Sequence, residues 1–184
     1  MRKVGILGMA PTTLHEAPYA DPSWELWSLP WSVVRRSDRF FDPHKNWDTQ
    51  GYYTCGPERK TITSWLSDLG GPLYMDKVEP DIPNSVAIPW DEIKGITGRP
   101  TNGTDEPYIE STIGVMLAVA CLELEAGDKL GLWGVDLDTD GEYAYQRPNA
   151  EFFLGYLKGK GVSLFIPKKS ALLSTCYPEF GRYA

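Results

Sequence analysis

Polar side chains in this sequence stand at two positions where ligands bind in α/β proteins. Asp136 comes directly after the apolar run 129–135, and Ser111 with Thr112 opens an apolar segment of helical length. Ligands of open α/β sheets bind at the carboxyl ends of strands and at helix N-termini, whose N–H groups attract anions. Ser111, Thr112 and Asp136 therefore predict a site for a polar ligand.

The turn after the first predicted strand, residues 3–7, offers hydroxyl groups and backbone N–H groups that could meet a phosphate or a sugar. It matches neither the G-x-G-x-x-G fingerprint nor the P-loop, so both of those nucleotide motifs are excluded. An ordinary strand-to-helix turn is the alternative. The residues of this turn that we select as candidates are Gly8, Ala10, Pro11, Thr12 and Thr13.

The acidic loop that begins at Asp136 is a candidate for a divalent cation. Asp136 and Asp138 would supply carboxylate oxygens, which suit Mg²⁺ or Mn²⁺ bound to a nucleotide diphosphate. The loop is not an EF-hand, because the twelfth position requires Glu and holds Arg147 here. A solvated acidic loop without a metal is the alternative.

Three further candidates, Tyr143, Tyr145 and Arg147, fall in the predicted loop before a helix at 148–158. The tyrosine rings could stack on a base or a sugar, and the guanidinium group at the helix start could bind an anion. Anchoring of the loop to the core by the tyrosines is the alternative reading of the same residues.

The two histidines, His15 and His44, are the candidates for a general base. His44 follows the end of a predicted strand, so we assign it as the base, with Asp136 as the second catalytic candidate. The sequence indicates no carboxylate partner for either imidazole. Covalent catalysis is not indicated either, because no Ser-His-Asp or Cys-His order is present.

The hydrophobic pattern predicts a three-layer, Rossmann-like α/β fold with a mainly parallel sheet, in one domain spanning 1–184. A helix capped by Ser111 and ending before Gly127 is apolar nearly all round, so it should be covered on both sides. A long irregular insertion is expected at 78–108, with a helical turn near 90–94. Strands are predicted at 3–7, 24–29, 39–42, 73–75, 129–135 and 162–166, and other helices at 57–69 and 148–158.

Composition restricts the compartment and the partners. The net charge is −7, which disfavours binding to duplex nucleic acid, and no apolar run reaches the ~20 residues of a membrane span. The 3 cysteines form no C-x-x-C pair, which fits a reducing compartment. We expect a cytoplasmic protein without a signal peptide.

Several short motifs together resemble the bacterial Rossmann-like sialyltransferases and the related MptE-like proteins, and in particular small phage-encoded proteins of that kind. The resemblance covers most of the chain apart from about 45–108. The motifs are Gly8-x-x-Pro11-Thr12, Glu25-Leu26-Trp27, Phe40-Phe41-Asp42-Pro43, Ser111-Thr112-Ile113-Gly114-Val115-Met116, Leu132-x-Gly134-Val135-Asp136 and Tyr143-Ala144-Tyr145.

The resemblance implies a pocket for a nucleotide or nucleotide-sugar and a glycosyltransferase-like activity, in the host cytoplasm if the protein is phage-encoded. By this resemblance the nucleotide contacts would be Gly8, Pro11, Thr12, Asp42, Thr112, Gly114 and Tyr145.

Two other functions stay open. Met9, Pro30 and Ile113 stand where those enzymes carry polar side chains, which suits a non-catalytic protein that sequesters a nucleotide. The 7 tryptophans also suit a virion or interaction protein, or a homo-oligomer, because aromatic side chains are enriched at interfaces.

Overall fold

A computed structural model of the protein describes residues 1–45, 62–97, 107–138, 141 and 143–174. Within these ranges seven strands form one sheet in the order β5-β4-β3-β2-β1-β6-β7, and every neighbouring pair is parallel. The predicted α/β class is therefore confirmed. The strands are β1 (Lys3–Leu7), β2 (Glu25–Ser28), β3 (Arg39–Asp42), β4 (Leu73–Met75), β5 (Ser85–Ala87), β6 (Lys129–Trp133) and β7 (Ser163–Phe165).

Helices cover both faces of this sheet. The largest apolar cluster joins one face to α3, α4 and α5, whereas two smaller clusters cover the opposite face beneath α1 and α2. This arrangement has the three layers that the sequence predicted. The helices of the described part are α1 (Pro11–Leu14), α2 (Ile62–Ser67), α3 (Trp90–Thr97), α4 (Thr112–Glu123) and α5 (Tyr143–Gly159).

The segment predicted to be irregular, 78–108, instead contains β5 and the two-turn helix α3. Strand β5 has only three residues and stands between Pro83 and Pro89, a pattern that sequence reasoning assigns to loops. It forms because its backbone extends the sheet beyond β4, in register from Leu73↔Ser85 to Met75↔Ala87. The helical turn predicted near 90–94 is therefore confirmed as part of α3, whereas β5 was not predicted.

Helix α4 is the most buried element. Its N-cap is Ser111, whose side chain accepts a hydrogen bond from the Gly114 N–H, and nine of its residues are buried. The helix stops at Glu123, three residues earlier than predicted, because Leu124 is already extended, with φ −96° and ψ 142°. Gly127, at φ +91°, belongs to the turn that leads into β6.

The amino ends of β1, β2 and β3 meet the end of α4 in a network of four charges, Arg2, Glu25, Arg39 and Glu123. Arg2 lies 2.6 Å from Glu25 and 2.7 Å from Glu123; Arg39 lies 2.7 Å from Glu123 and also pairs with Glu25. Partial burial acts to raise the pKa of Glu25, but hydrogen bonds from Arg2 and Trp27 and the charge of Arg39 hold it below its usual value. We call these four residues the amino-edge network.

No helix in the described ranges combines the length and the apolar character that crossing a bilayer requires.

Candidate functional site

The order of the strands reverses direction next to β1. Chain connections lead from β1 through β2 and β3 to one edge, whereas β6 and β7 add to the other side of β1. In doubly wound sheets, ligands bind at the carboxyl ends of the strands that flank such a switch point. The candidates Gly8, Thr12 and Asp136 do follow β1 and β6 at this place.

The backbone fills the space between β1 and β6. The Gly8 N–H donates to the Trp133 carbonyl at 2.8 Å, and the Ala10 N–H donates to the Gly134 carbonyl at 2.9 Å. A Cβ on Gly8 would lie 2.1 Å from the Gly134 carbonyl oxygen, so only glycine permits this approach. The side chain of Thr13 is fully buried and accepts from the Gly134 N–H at 2.8 Å.

Asp136 and Thr12 interact above this closed junction. The Thr12 hydroxyl donates to Oδ2 of Asp136 at 2.5 Å, while Oδ1 is buried without a hydrogen-bond partner among the described residues. The next residue, Leu137, has φ +44°, an uncommon conformation for a residue with a side chain. We call Gly8, Ala10, Thr12, Thr13, Gly134 and Asp136 the switch cluster; Pro11, its exposed neighbour, opens α1.

A cavity that could hold a small molecule lies at the carboxyl ends of β3 and β4, and β3 is two strands away from β1. Its volume is about 590 Å³, within the 300–1,000 Å³ range typical of ligand pockets. Helix α3 and the start of α4 form its other walls. Its lining residues are Pro43, His44, Lys45, Asp76, Trp90, Lys94, Pro107, Ile109, Ser111 and Thr112.

One wall of this cavity carries a histidine–carboxylate pair. Asp42 is fully buried at the end of β3, and its Oδ1 lies 2.5 Å from Nδ1 of His44. The backbone N–H of His44 donates to the same oxygen at 3.2 Å, which fixes the short turn through Pro43. The expectation that His44 has no carboxylate partner is therefore wrong, because the turn through Pro43 brings the imidazole ring back to the carboxylate of Asp42.

The opposite wall is the start of α4, where the predicted candidates Ser111 and Thr112 line the cavity. Ser111 caps the helix through the Gly114 N–H at 3.0 Å. Gly114 itself is buried against Asn149, whose Oδ1 would lie 2.3 Å from an added Cβ. Packing against α5 thus explains why residue 114 is a glycine. Gly114 does not line the cavity.

The remaining candidates, Tyr143, Tyr145 and Arg147, lie in the first turns of α5 and not in a loop, which corrects the predicted helix start at Pro148. Helix α5 starts earlier than predicted, and the Ala144 N–H in its first turn donates to the Gly141 carbonyl at 3.3 Å. Arg147 pairs with Glu151 at 2.8 Å. None of these three side chains lines the cavity.

The proposed metal ligands lie apart from the cavity as well. Asp136 bonds to Thr12, and Asp138 is exposed. Nowhere in the described ranges do three or more His, Cys, Asp or Glu side chains group as metal ligands would.

Asp76, Trp90 and Lys94 are among the cavity residues that sequence reasoning missed. Asp76 directly follows β4, so the strand-end rule that selected Asp136 could have found it. Trp90 and Lys94 are four residues apart on α3 and share one face of that helix; the helical turn near 90–94 was predicted, but its side chains were not considered as site residues.

The chain matches no protein-family model, and no curated protein and no solved structure is significantly similar to it. The likeness to the sialyltransferase and MptE-like proteins therefore rests on the short motifs alone.

Proposed function

We propose that the cavity binds a nucleotide or nucleotide-sugar and that the protein is a glycosyltransferase-like enzyme with His44 as its general base. The observation that carries this proposal is the pair formed by His44 and the fully buried Asp42 at the wall of the cavity. A buried carboxylate that holds the Nδ1 of a histidine is an arrangement that enzymes use to orient a catalytic base.

The pair determines how the imidazole can act. When Nδ1 donates to a carboxylate, the neutral ring carries its lone pair on Nε2. Asp42 also stabilises the imidazolium that forms when Nε2 takes up a proton. Because His44 is about one-third exposed whereas Asp42 is not exposed at all, the ring can meet a ligand while its carboxylate partner stays away from solvent.

In the reaction we propose, the hydroxyl oxygen of an acceptor forms a bond to the anomeric carbon of the bound nucleotide-sugar. The bond from that carbon to the phosphate oxygen breaks, and its electron pair leaves with the phosphate. The hydroxyl proton moves to Nε2 of His44. The products are the glycosylated acceptor and the free nucleotide.

The charges around the cavity suit a ligand that carries phosphate. Lys45 and Lys94 supply two ammonium groups, and the positive end of the α4 dipole faces the cavity at Ser111 and Thr112. Among the described residues, the ion pair of Lys94 is with the highly exposed Asp91, at 3.4 Å, and a pair of this kind contributes about 0–1 kcal/mol. An incoming phosphate could therefore displace Asp91 at little cost.

Isothermal titration against a panel of nucleotides and nucleotide-sugars, followed by product analysis, tests this function. We expect binding together with slow release of free nucleotide from one sugar donor. Tight binding without turnover would leave a nucleotide-sequestering protein and defeat the transferase. The absence of any binding would defeat both functions.

A further inference from the structure

Asp76 and Trp90 form a second polar pair within the cavity, on the side of α3. The indole Nε1 of Trp90 donates to Oδ1 of Asp76 at 3.1 Å and to its carbonyl oxygen at 3.2 Å. Both side chains are half-buried and both line the cavity. The hydrogen bonds of the indole therefore determine how its ring lies in the wall.

The side chain of Trp90 is held in place by apolar packing as well as by its hydrogen bonds. It packs against the main apolar cluster, which contains Ile88 and Ile93 of the same segment. Since its edge is engaged with Asp76, what the ring offers to a ligand is its π face. A planar group stacks favourably on such a face, and stacking of a nucleic-acid base on an aromatic side chain is tolerant of base identity.

The carboxylate of Asp76 keeps further acceptor capacity. Its Oδ1 receives the indole proton, and its Oδ2 has no partner among the described residues. An ionised carboxylate has about four acceptor positions and no donor, so it selects ligands that bring O–H or N–H groups. The vicinal hydroxyls of a ribose provide two such donors on adjacent carbons.

We infer that Asp76 and Trp90 form a nucleoside subsite, in which the base stacks on Trp90 and Asp76 accepts hydrogen bonds from the ribose hydroxyls. This inference rests on the proposed function and makes it narrower, because it selects ribonucleotides over 2′-deoxyribonucleotides. It also places the nucleoside on the α3 side of the cavity and leaves His44, on the β3 side, for the transferred group.

Titration with the four ribonucleoside monophosphates and their 2′-deoxy counterparts tests the subsite. We expect the unmodified protein to bind the best ribonucleotide about 10-fold more tightly than its deoxy form, the effect of one charge-assisted hydrogen bond. In Asp76→Asn, which keeps an oxygen for the Trp90 N–H, this preference should fall to about 2-fold. Trp90→Ala should weaken both forms about 10-fold and leave the preference in place.

Asp91→Asn is the matched control, because Asp91 is a highly exposed carboxylate at the start of the same helix. It should keep the ribose preference. Equal affinity of the unmodified protein for ribo and deoxy forms, or an unchanged preference in Asp76→Asn, would overturn the subsite while nucleotide binding still stood. If no nucleotide bound the unmodified protein, both the subsite and the proposed function would fail.

Discussion

At the ends of β1 and β6 the backbone comes together, whereas at the ends of β3 and β4 it stays apart. Gly8 and Gly134 let the segments that follow β1 and β6 approach and form hydrogen bonds beyond the ends of the strands. This contact leaves no open space within the switch cluster. Pro43, in contrast, directly follows Asp42, and a proline has no N–H with which to continue a ladder. The contrast between the two places thus goes with glycine after β1 and β6 and with proline after β3.

This difference changes how the topological rule applies to the chain. A switch point marks where helices leave a sheet on opposite sides, but a crevice is open there only if the backbones after the strands diverge. In this protein they converge, and the open space lies two strands away, beside His44 and Asp76. In our proposal the switch cluster contributes to stability, whereas the chemistry takes place in the cavity.

The largest effect should come from His44→Gln, which keeps the size and polarity of the side chain but removes the base. We expect turnover of the sugar donor to fall about 1,000-fold, as for other general bases, while affinity for the nucleotide stays within about 3-fold. His15→Gln is the control, because His15 is exposed and, in the part of the chain that the structure describes, pairs with the neighbouring Glu16 alone. Undiminished turnover in His44→Gln would remove the catalytic role from the cavity.

Next in size is Gly8→Ala, which places a methyl group against the Gly134 carbonyl oxygen. We expect the free energy of unfolding to fall by about 3 kcal/mol, since backbone has to move to relieve the clash. Urea denaturation measures this change. Gly155→Ala is the matched control, because nothing lies within 4 Å of its added Cβ and alanine favours a helix.

If Gly8→Ala were as stable as the unmodified protein, the junction between β1 and β6 would be looser than its hydrogen bonds indicate. The switch cluster would then be a possible ligand crevice, and the contrast between the two places would disappear.

The smallest effect that we expect is a difference in nucleotide affinity between variants of two threonines, one in the cavity and one in the switch cluster. Thr112→Val removes a hydroxyl from the cavity wall and should weaken nucleotide binding about 5-fold, the contribution of one hydrogen bond. Thr12→Val removes the partner of Asp136 and should change binding by less than about 2-fold. Calorimetric titration of both variants decides between the two places, and the reverse order of effects would move the site to the switch cluster.

The sequence was sufficient to predict the central framework, because local signals and burial agree there. Helix α4 has a serine cap and an apolar surface all round, and β6 is a continuous apolar run of strand length. Strand β5 could not be predicted, since three residues between prolines carry too little periodicity, and the strand exists only through its pairing with β4.

The site was predictable in its parts but not in its assembly. His44, Asp42, Ser111 and Thr112 were all selected, yet the hydrogen bond between Asp42 and His44 depends on a turn that spacing alone does not reveal. Tyr143 and Arg147 were placed wrongly because Pro148 was taken as the start of a helix. Proline is common at the first helical position, but here it is tolerated inside α5, on the exposed face.

The amino-edge network gives the protein a sensitivity to acid that is remote from the cavity. Because the pKa of Glu25 is lower in the folded chain than its ordinary value of 4.5, its contribution to stability is complete above that pH. As the pH falls below about 4.5, the unfolded chain takes up the proton first and this contribution is lost. Acidification should therefore weaken the ion pairs that join the starts of three strands to the end of α4, at the edge of the sheet away from the cavity.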